Sequence, residues 1–254
     1  MKRAFLSLFV ALSAVLMSVS CLNTSKYDAE QPDYAEIVTI VDGSYNSPFY
    51  VEFDSGKTAS VTSSPGGSIT FPSEPAPMRG EVRKLIWYKE EGTPDPGFDK
   101  SVNIISMENV ATHLIYNTED EEVKKVLGTH DDNVAVNVAV FAPYRNYLTL
   151  EMYFHQSSEI SYKHSIFVAY NPSREGMYKE VYEAQKDQND GYLWLELYHD
   201  AAGDVTTNNM VGVYSCVKLD AETMGVESLK NYKGIKIIYK ELEKGTPQIY
   251  TIDF

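Results

Sequence analysis

Cysteine is scarce in this chain of 254 residues, which contains only Cys21 and Cys216. Cys21 follows an N-terminal apolar segment and is expected to carry lipid, so Cys216 has no partner within the chain and no disulfide is predicted. A nucleophilic cysteine needs a histidine or a basic side chain beside it, and Cys216 in the segment GVYSCVKL has none directly adjacent. We therefore interpret Cys216 as a buried and unreactive small hydrophobe.

Positive charge is also in short supply, with 22 Lys and Arg against 36 Asp and Glu, for a formal net charge of −14. Lys2 and Arg3 lie in the N-terminal leader and residues 1–20 contain no acid, so the chain without its leader carries −14 − 2 = −16. Such a charge repels phosphate backbones and anionic lipid headgroups. Nucleic acid is therefore excluded as the main partner, and the charge is interpreted chiefly as an aid to solubility.

A hydrophobic run approaching the length of a membrane span occurs only at Ala4–Val19. It is short for a transmembrane helix, and no basic stop-transfer cluster follows it. Two cations precede the run, and the small residues Ser18–Ser20 lead from it to Cys21. This order of cationic, apolar and small residues is typical of a secretory signal peptide.

The ending Ser-Val-Ser-Cys resembles a bacterial lipobox, although Ser18 stands where leucine is usual. We predict a lipoprotein signal peptide over residues 1–20 and acylation of Cys21, since several acyl chains hold a protein durably on a bilayer. The alternative is ordinary secretion with a free Cys21. Residues 21–33 are polar and are expected to form a flexible tether. Leu22 does not resemble an inner-membrane retention signal, so the expected location is the outer membrane, facing the periplasm or the cell surface.

Motifs of catalysis and metal binding are missing as well. There is no nucleophile elbow, P-loop or dinucleotide fingerprint. His155 and His164 could face each other across a hairpin, but no third metal ligand accompanies them. The acidic stretch before Gly191 lacks the spacing of a calcium loop, and Glu151 and Glu196 by themselves do not indicate a glycosidase. We expect no catalytic residue, no metal and no cofactor.

Tyrosine, in contrast, is abundant, with 19 residues, and it favours β-strands and half-exposed surfaces. The most informative stretch is Asp190–Asp204, DGYLWLELYHDAAGD, whose middle alternates strictly and predicts a central strand followed by a turn. One face carries leucines at 193, 195 and 197 and is predicted to be core. The other face carries the candidate ligand-binding residues Tyr192, Trp194 and Tyr198, which could form an aromatic platform for sugar rings. The alternative is that this row packs under Tyr182 or against another domain.

The first half of the chain predicts a small all-β domain over residues 34–116. Alternating segments separated by Gly, Pro, Asn and Asp turn signals predict five short strands; their ranges are 36–41, 49–53, 58–62, 81–89 and 102–107. Five meandering strands in about eighty residues suit an OB-like barrel. Such a fold often binds an oligonucleotide or oligosaccharide, but a fold alone does not confer the function.

A short acidic helix is predicted as a connector over residues 117–130. Thr118 is expected as its N-cap, Glu121 completes a capping box, and Gly128 is the C-terminal stop. Residues 131–254 then show seven strand signals at near-regular spacing and predict a β-sandwich; their ranges are 134–141, 147–155, 164–170, 192–199, 210–219, 235–240 and 249–254. Between the third and fourth of these strands, a short helix or ordered loop is expected, with Ser173 as a possible cap.

The whole pattern resembles the NigD-like lipoproteins of Bacteroides-type bacteria. The resemblance is carried by Asp190–Asp204, by Val38–Gly43 and by the closing segment Lys233–Ile237, KGIKI. Two features depart from the family pattern: the turn at residues 198–204 reads Tyr-His-Asp-Ala-Ala-Gly-Asp, where Arg-His-Asn-Ala-Asn-Gly-Asp is more usual, and Pro172–Gln188 is longer than usual. The resemblance implies an N-terminal OB domain, a C-terminal sandwich and an association with a bacteriocin gene cluster. It implies no catalytic residues.

The function expected from these observations is that of a non-catalytic, membrane-anchored binding or accessory lipoprotein. Its ligand would be a glycan, a peptide or another envelope protein, and the membrane would be reached through the lipid on Cys21. Two alternatives remain at this point: an immunity or structural factor of a bacteriocin-type system, and a cryptic hydrolase. The hydrolase alternative requires two carboxylates, or a histidine and a nucleophile, to meet in one solvent cleft.

Overall fold

The computed structural model describes residues 31–43, 49–65, 69, 80–127, 130–158, 163–185 and 190–254. The signal peptide, Cys21, Gly128 and residues 187–189 before Asp190 lie outside this part of the chain, and predictions about them stay predictions. In the described part, no helix is both long enough and apolar enough to cross a membrane.

Five strands close into a barrel in the first half of the chain, as predicted. They are β1 (Tyr34–Asp42), β2 (Phe49–Phe53), β3 (Thr58–Ser63), β4 (Glu81–Glu90) and β5 (Lys100–Asn109), and their order around the barrel is β1-β2-β3-β5-β4. The pair β3–β5 is parallel and the other pairs are antiparallel. Alternate residues such as Val38, Ile40 and Val51 fill the interior, as the period-two pattern of a strand requires.

In the part of the chain that the structure describes, nine further strands form a two-layer sandwich, which confirms the predicted all-β class. One sheet has the order β14-β13-β11-β10-β7 and the other the order β6-β12-β9-β8. The strands are β6 (Ala111–Leu114), β7 (Tyr116–Asn117), β8 (Ala135–Ala142), β9 (Tyr147–His155), β10 (Ser165–Tyr170), β11 (Tyr192–Asp200), β12 (Met210–Lys218), β13 (Gly234–Lys240) and β14 (Pro247–Asp253).

The strand pairing corrects the expected division at residue 116. Strands β6 and β7 pair in parallel with β12 and β10, so Ala111–Asn117 belongs to the sandwich sheets and not to the barrel. Ile115 between them is buried in the sandwich core. Strands of four and two residues are too short to show a hydrophobic period, and only their partners define them.

The helices are short, and their caps differ from the prediction. Helix α1 (Glu121–Leu127) begins one residue after Asp120, whose carboxylate accepts hydrogen bonds from the Glu122 and Val123 amides, so Asp120 is the cap. Thr118 donates instead to Asn171 Oδ1 at 3.0 Å. Helix α2 (Lys179–Ala184) has no side-chain cap, and the predicted capping role of Ser173 is wrong. Helix α3 (Ala221–Met224) and a 3₁₀ turn (Leu229–Asn231) were not predicted.

Strand β11 lies in the middle of the five-stranded sheet, between β10 and β13. Its leucines at 193, 195 and 197 are fully buried against Leu148 and Leu150 of the opposite sheet, which confirms the predicted core face. Cys216 is buried as predicted.

Candidate functional site

The outer face of β11 is closed, so the predicted aromatic platform is not available to a ligand in this structure. Trp194 is 4% exposed and Tyr198 is 6% exposed. The Tyr182 ring covers Trp194 at a centroid distance of 5.6 Å, and the Tyr178 ring lies 5.9 Å from that of Tyr198. Tyr192 is half-buried and donates a hydrogen bond to Asp253 at 2.7 Å. The alternative expectation, packing under Tyr182, describes the observed structure.

A buried carboxyl group lies beneath this aromatic cover. Glu196 is 0% exposed and accepts hydrogen bonds from Asn171 Nδ2 at 2.9 Å, from Tyr182 Oη at 3.0 Å and from Tyr198 Oη. Loss of hydration on burial raises the pKa of Glu196, and the three hydrogen bonds partly oppose that rise. Because no solvent reaches the group, we interpret Glu196 as the anchor that fixes α2 and the loop at Asn171 on the sheet.

The histidines form a chain of hydrogen bonds at the far end of β11. His199 Nδ1 lies 2.9 Å from the Asn133 carbonyl oxygen, His199 Nε2 lies 2.9 Å from His164 Nδ1, and His164 Nε2 lies 3.2 Å from Asp204 Oδ2. Burial lowers the pKa of His199, which favours its neutral form. His164 thus contacts His199, and not His155, the facing histidine considered and discounted from the sequence. In the part of the chain that the structure describes, no three His, Cys, Asp or Glu residues are arranged to hold a metal ion.

A network of buried charges joins the barrel to the four-stranded sandwich sheet. Arg145, in the turn between β8 and β9, binds Glu52 of β2 at 2.7 Å and Glu81 of β4 at 2.9 Å. Lys218 of β12 also binds Glu81, at 2.6 Å. The two glutamates raise the pKa of Arg145 above its usual value, although partial burial opposes this rise. The network fixes the position of one module on the other, because each buried charge needs its partner across the boundary.

The same contact occupies part of the barrel surface that OB folds use for ligands, which is the outer face of strands 2 and 3. Glu52 lies on that face and is only 2% exposed because Arg145 covers it. Sequence reasoning missed this network. The alternation of charged and buried residues in a strand predicts that the charged side chains point outward. It does not predict which residues of another element they contact.

A small cleft opens at the margin of this boundary. It has a volume of about 160 Å³ and is lined by Glu36, Ile37 and Asp54 from the barrel and by Val138, Val140, Thr149, Glu151 and Tyr214 from the sandwich. Both modules therefore contribute to its walls. Its floor is apolar and Val140 is 41% exposed.

Among the residues that the structure describes, two carboxylates in this cleft have only neutral hydrogen-bond donors. Glu36 accepts from Tyr88 Oη at 2.7 Å, and Glu151 accepts from Asn137 Nδ2 at 2.8 Å and from Tyr153 Oη at 3.0 Å. Among the described residues, no cation lies within ion-pair distance of either group. Asp54, by contrast, forms a two-point ion pair with Arg83. The cleft consequently has an excess of negative charge beside apolar surface, which suits a group that is both basic and aliphatic.

A second cleft of about 400 Å³ lies on the other side of β8, at the edge of the sandwich. Its walls are mainly apolar, and their large side chains are Phe141, Leu229, Tyr232, Ile252 and Phe254. Phe141 and Phe254 stack with their ring centroids 4.6 Å apart. Strand β8 thus runs between an acidic cleft and an apolar one.

Solved structures from Bacteroides species share this architecture. A protein of unknown function DUF1344 from Bacteroides vulgatus is 15% identical, with 87% of this chain and 90% of that chain covered and a TM-score of 0.60. A NigD-like immunity protein from Bacteroides caccae is 21% identical, with coverages of 89% and 94% and a TM-score of 0.58. A putative lipoprotein from Bacteroides fragilis is 11% identical, with coverages of 87% and 97% and a TM-score of 0.51. At these identities the likeness establishes the fold.

No curated protein matches the chain. The sequence profile of the NigD-like C-terminal beta sandwich domain matches residues 115–254, more than half of the chain and nearly the whole span of the sandwich strands. Its start at residue 115 includes β7, which pairs with β10 in the sandwich, whereas β6 ends one residue before the matched range. The chain therefore belongs to the NigD-like family.

Proposed function

We propose that this chain is a non-catalytic binding module of the bacterial envelope, anchored in the outer membrane by lipid on Cys21. The observation that carries the proposal is the acidic cleft to which barrel and sandwich both contribute. Its two walls are held in place by the buried contacts of Arg145, so the cleft is formed before any ligand arrives. A preformed site loses less entropy on binding than one that must be ordered.

The size of the cleft favours a protein or peptide ligand over a free small molecule. Its volume of about 160 Å³ is below the roughly 300–1,000 Å³ of small-molecule sites. It suits one side chain inserted from a larger partner. Glu36 and Glu151 do share this cleft, which is the arrangement that the hydrolase alternative requires, but the space is small for a substrate with groups on both sides of a scissile bond.

Lipid anchoring is tested by labelling with an alkyne fatty acid in a Bacteroides-type host, followed by membrane fractionation. We expect label and outer-membrane recovery for the unchanged chain and for Cys216→Ala. The variant Cys21→Ala should lose both, since it lacks the sulfur that is acylated. Label retained in Cys21→Ala, or an unchanged chain without label, would refute the anchor.

Ligand binding is tested by capture of envelope proteins on the immobilised soluble domain and by peptide and glycan arrays. Glu36→Gln and Glu151→Gln keep an acceptor for the neighbouring hydroxyl groups but remove the charge, so a genuine ligand should bind at least tenfold more weakly to each. Glu122→Gln on the exposed side of α1 removes the same charge and should have no effect. Absence of binding in every assay would contradict the proposal. So would binding whose affinity is the same for the unchanged domain and for both cleft variants.

Immunity against a bacteriocin-type toxin is the second candidate function, favoured by the description of the related Bacteroides caccae structure as an immunity protein. A strain that lacks the gene would be expected to become sensitive to killing by a producer strain, and complementation should restore resistance. Equal resistance of the deleted and complemented strains would dismiss this role.

A further inference from the structure

We propose that the apolar cleft of about 400 Å³ binds a small amphiphile, in which an apolar body carries one acidic head group. This site goes beyond the function proposed above, because it shares no wall residue with the acidic cleft and takes another class of ligand. Its volume lies within the roughly 300–1,000 Å³ of small-molecule sites. Benzene occupies a cavity of about 150 Å³, so the cleft has room for a body of fused rings or for an alkyl chain.

Apolar side chains form most of the cleft wall. The cleft lies at the end of the sandwich where β8 and β14 finish, and Phe141 of β8 stacks there on Phe254. Leu229 in the 3₁₀ turn is 5% exposed, and Tyr232 and Ile252 are half-buried against the sandwich core. The wall is thus continuous with the core, and packing holds its side chains in place before a ligand arrives. Burial of an apolar ligand body against this wall provides affinity.

Three residues of the cleft wall carry polar side chains that make no hydrogen bond to any residue that the structure describes. They are Asn146, Lys230 and Tyr232. Asn146 has a φ of 57° in the turn before β9, and its backbone carbonyl oxygen accepts from the Leu219 amide at 2.8 Å, so its backbone is fixed while its side chain is free to bind. A largely apolar cleft with a few polar groups is the usual form of a small-molecule site.

The charge of Lys230 defines the head group of the ligand. Among the described residues, no carboxylate lies within ion-pair distance of this amine. Asp253 also lines the cleft, but it is aligned across the sheet with Gly234 and Tyr192, and its carboxylate accepts from Tyr192 Oη at 2.7 Å. Aligned residues share a face of the sheet, so this carboxylate lies on the outer face, opposite to the side chain of Ile252. An unpaired cation beside an apolar wall favours a ligand with an anionic end.

The probes are anilinonaphthalene sulfonate and its uncharged analogue N-phenylnaphthylamine, which have the same rings and differ by the sulfonate. Both become fluorescent when they leave water, so titration into the chain that lacks the signal peptide and Cys21 gives their dissociation constants. We expect both probes to bind, because both present an apolar ring system to the same wall. Only the sulfonate probe should depend on Lys230.

A pair of lysine variants tests the head group. Lys230→Gln keeps a polar side chain but removes the charge, and it should weaken binding of the sulfonate probe about three- to fivefold, the size of an exposed ion pair. Binding of the uncharged probe should be the same as in the unchanged chain. Lys57→Gln removes the same charge from an exposed residue of the β2–β3 hairpin in the barrel, and it should affect neither probe.

A second pair of variants tests the wall. Phe254→Ala removes a ring that is 52% exposed and should weaken both probes about fivefold or more. Tyr34→Ala removes a ring that is 48% exposed and stacks on Tyr88 in the barrel, and it should affect neither probe. Circular dichroism establishes that the variants are folded. In the unchanged chain, the methyl NMR signals of Leu229 and Ile252 should shift when either probe is added, which locates the site without any variant.

Displacement of the sulfonate probe distinguishes two sources of such a ligand. Competition by sodium decanoate supports a fatty acid, and competition by sodium naphthoate supports a ring-bearing acid. Competition by neither compound would overturn the proposal, as would methyl signals that do not shift. A sulfonate affinity that falls equally in Lys57→Gln and Lys230→Gln would reduce the effect to overall charge and refute the anionic head group. Because the acidic cleft takes no part, Glu36→Gln should bind both probes normally, and loss of probe binding there would also refute this site.

Discussion

The buried carboxyl of Glu196 leads to a paired prediction in which two substitutions at one position have different consequences. Glu196→Leu leaves three buried donors without an acceptor: Asn171 Nδ2, Tyr182 Oη and Tyr198 Oη. Each buried donor that loses its acceptor costs about 1–3 kcal/mol, so the variant should lose about 3 kcal/mol or more of unfolding free energy.

Glu196→Gln should behave differently because it leaves one buried donor, not three, without an acceptor. Its oxygen can accept from Asn171 and Tyr182, while its amide nitrogen faces the Tyr198 hydroxyl and can donate to that oxygen but cannot accept its proton. Burial raises the pKa of Glu196 above the value of 4.5 expected for an unfolded chain. The folded protein therefore binds the proton more tightly, and its unfolding free energy falls as pH rises from about 4.5 through the folded-state pKa. The glutamine variant lacks this pH-dependent contribution, so its stability relative to the original chain should improve from pH 5 to pH 8.

Urea unfolding followed by tryptophan fluorescence is the appropriate assay, since Trp194 lies under the same aromatic cover as Glu196. Measurements at pH 5 and pH 8 separate the hydrogen-bond effect from the charge effect. The reasoning is refuted if Glu196→Leu costs less than about 1 kcal/mol, the lower limit for even one unsatisfied donor. It is also refuted if Glu196→Gln is as unstable as the leucine variant at pH 8.

Three further substitutions test other parts of the structure. His164→Phe keeps an aromatic ring but removes two hydrogen bonds of the histidine chain, and denaturant titration should show a loss of about 2 kcal/mol; a loss below about 0.5 kcal/mol would contradict that chain. Arg145→Ala removes a partner from two buried glutamates and should cost about 3 kcal/mol in the same assay, whereas Lys124→Ala, in an exposed pair, should cost under about 0.5 kcal/mol. Gly234→Ala would place its Cβ 2.0 Å from the Ile252 carbonyl oxygen, so we expect loss of the native fold by circular dichroism; a native spectrum would contradict the close approach of β13 and β14.

Sequence periodicity located the longer strands well. Strands β2 and β9 have the predicted bounds, Phe49–Phe53 and Tyr147–His155, because each combines β-forming residues with clear flanking turns. Periodicity failed for β6 and β7, which contain four and two residues and exist only because β12 and β10 accept them as partners. The cap of α1 was misplaced by two residues, because Thr118 found a better acceptor in Asn171, far away in the sequence.

The candidate sites depended still more on distant contacts. The alternation around Trp194 predicted two faces correctly but left open whether the aromatic face was exposed or packed under Tyr182. The structure shows that Tyr182 covers Trp194 and that Tyr178, which the sequence did not indicate, lies beside Tyr198. Glu36 and Glu151 are 115 residues apart, and no local pattern relates them. They share a cleft only because the barrel docks on the four-stranded sheet.

The amino-acid sequence by itself determined the all-β class, the two successive β modules, the leucine core of β11 and the excess of negative charge, because these follow from composition and from backbone periodicity that is local. The tertiary structure alone decided that Trp194 and Tyr198 are buried, that Arg145 covers Glu52, and that β8 contributes to two separate clefts. These features depend on which distant surfaces bury one another. That choice is made by packing and charge pairing over the whole molecule, and no single segment encodes it.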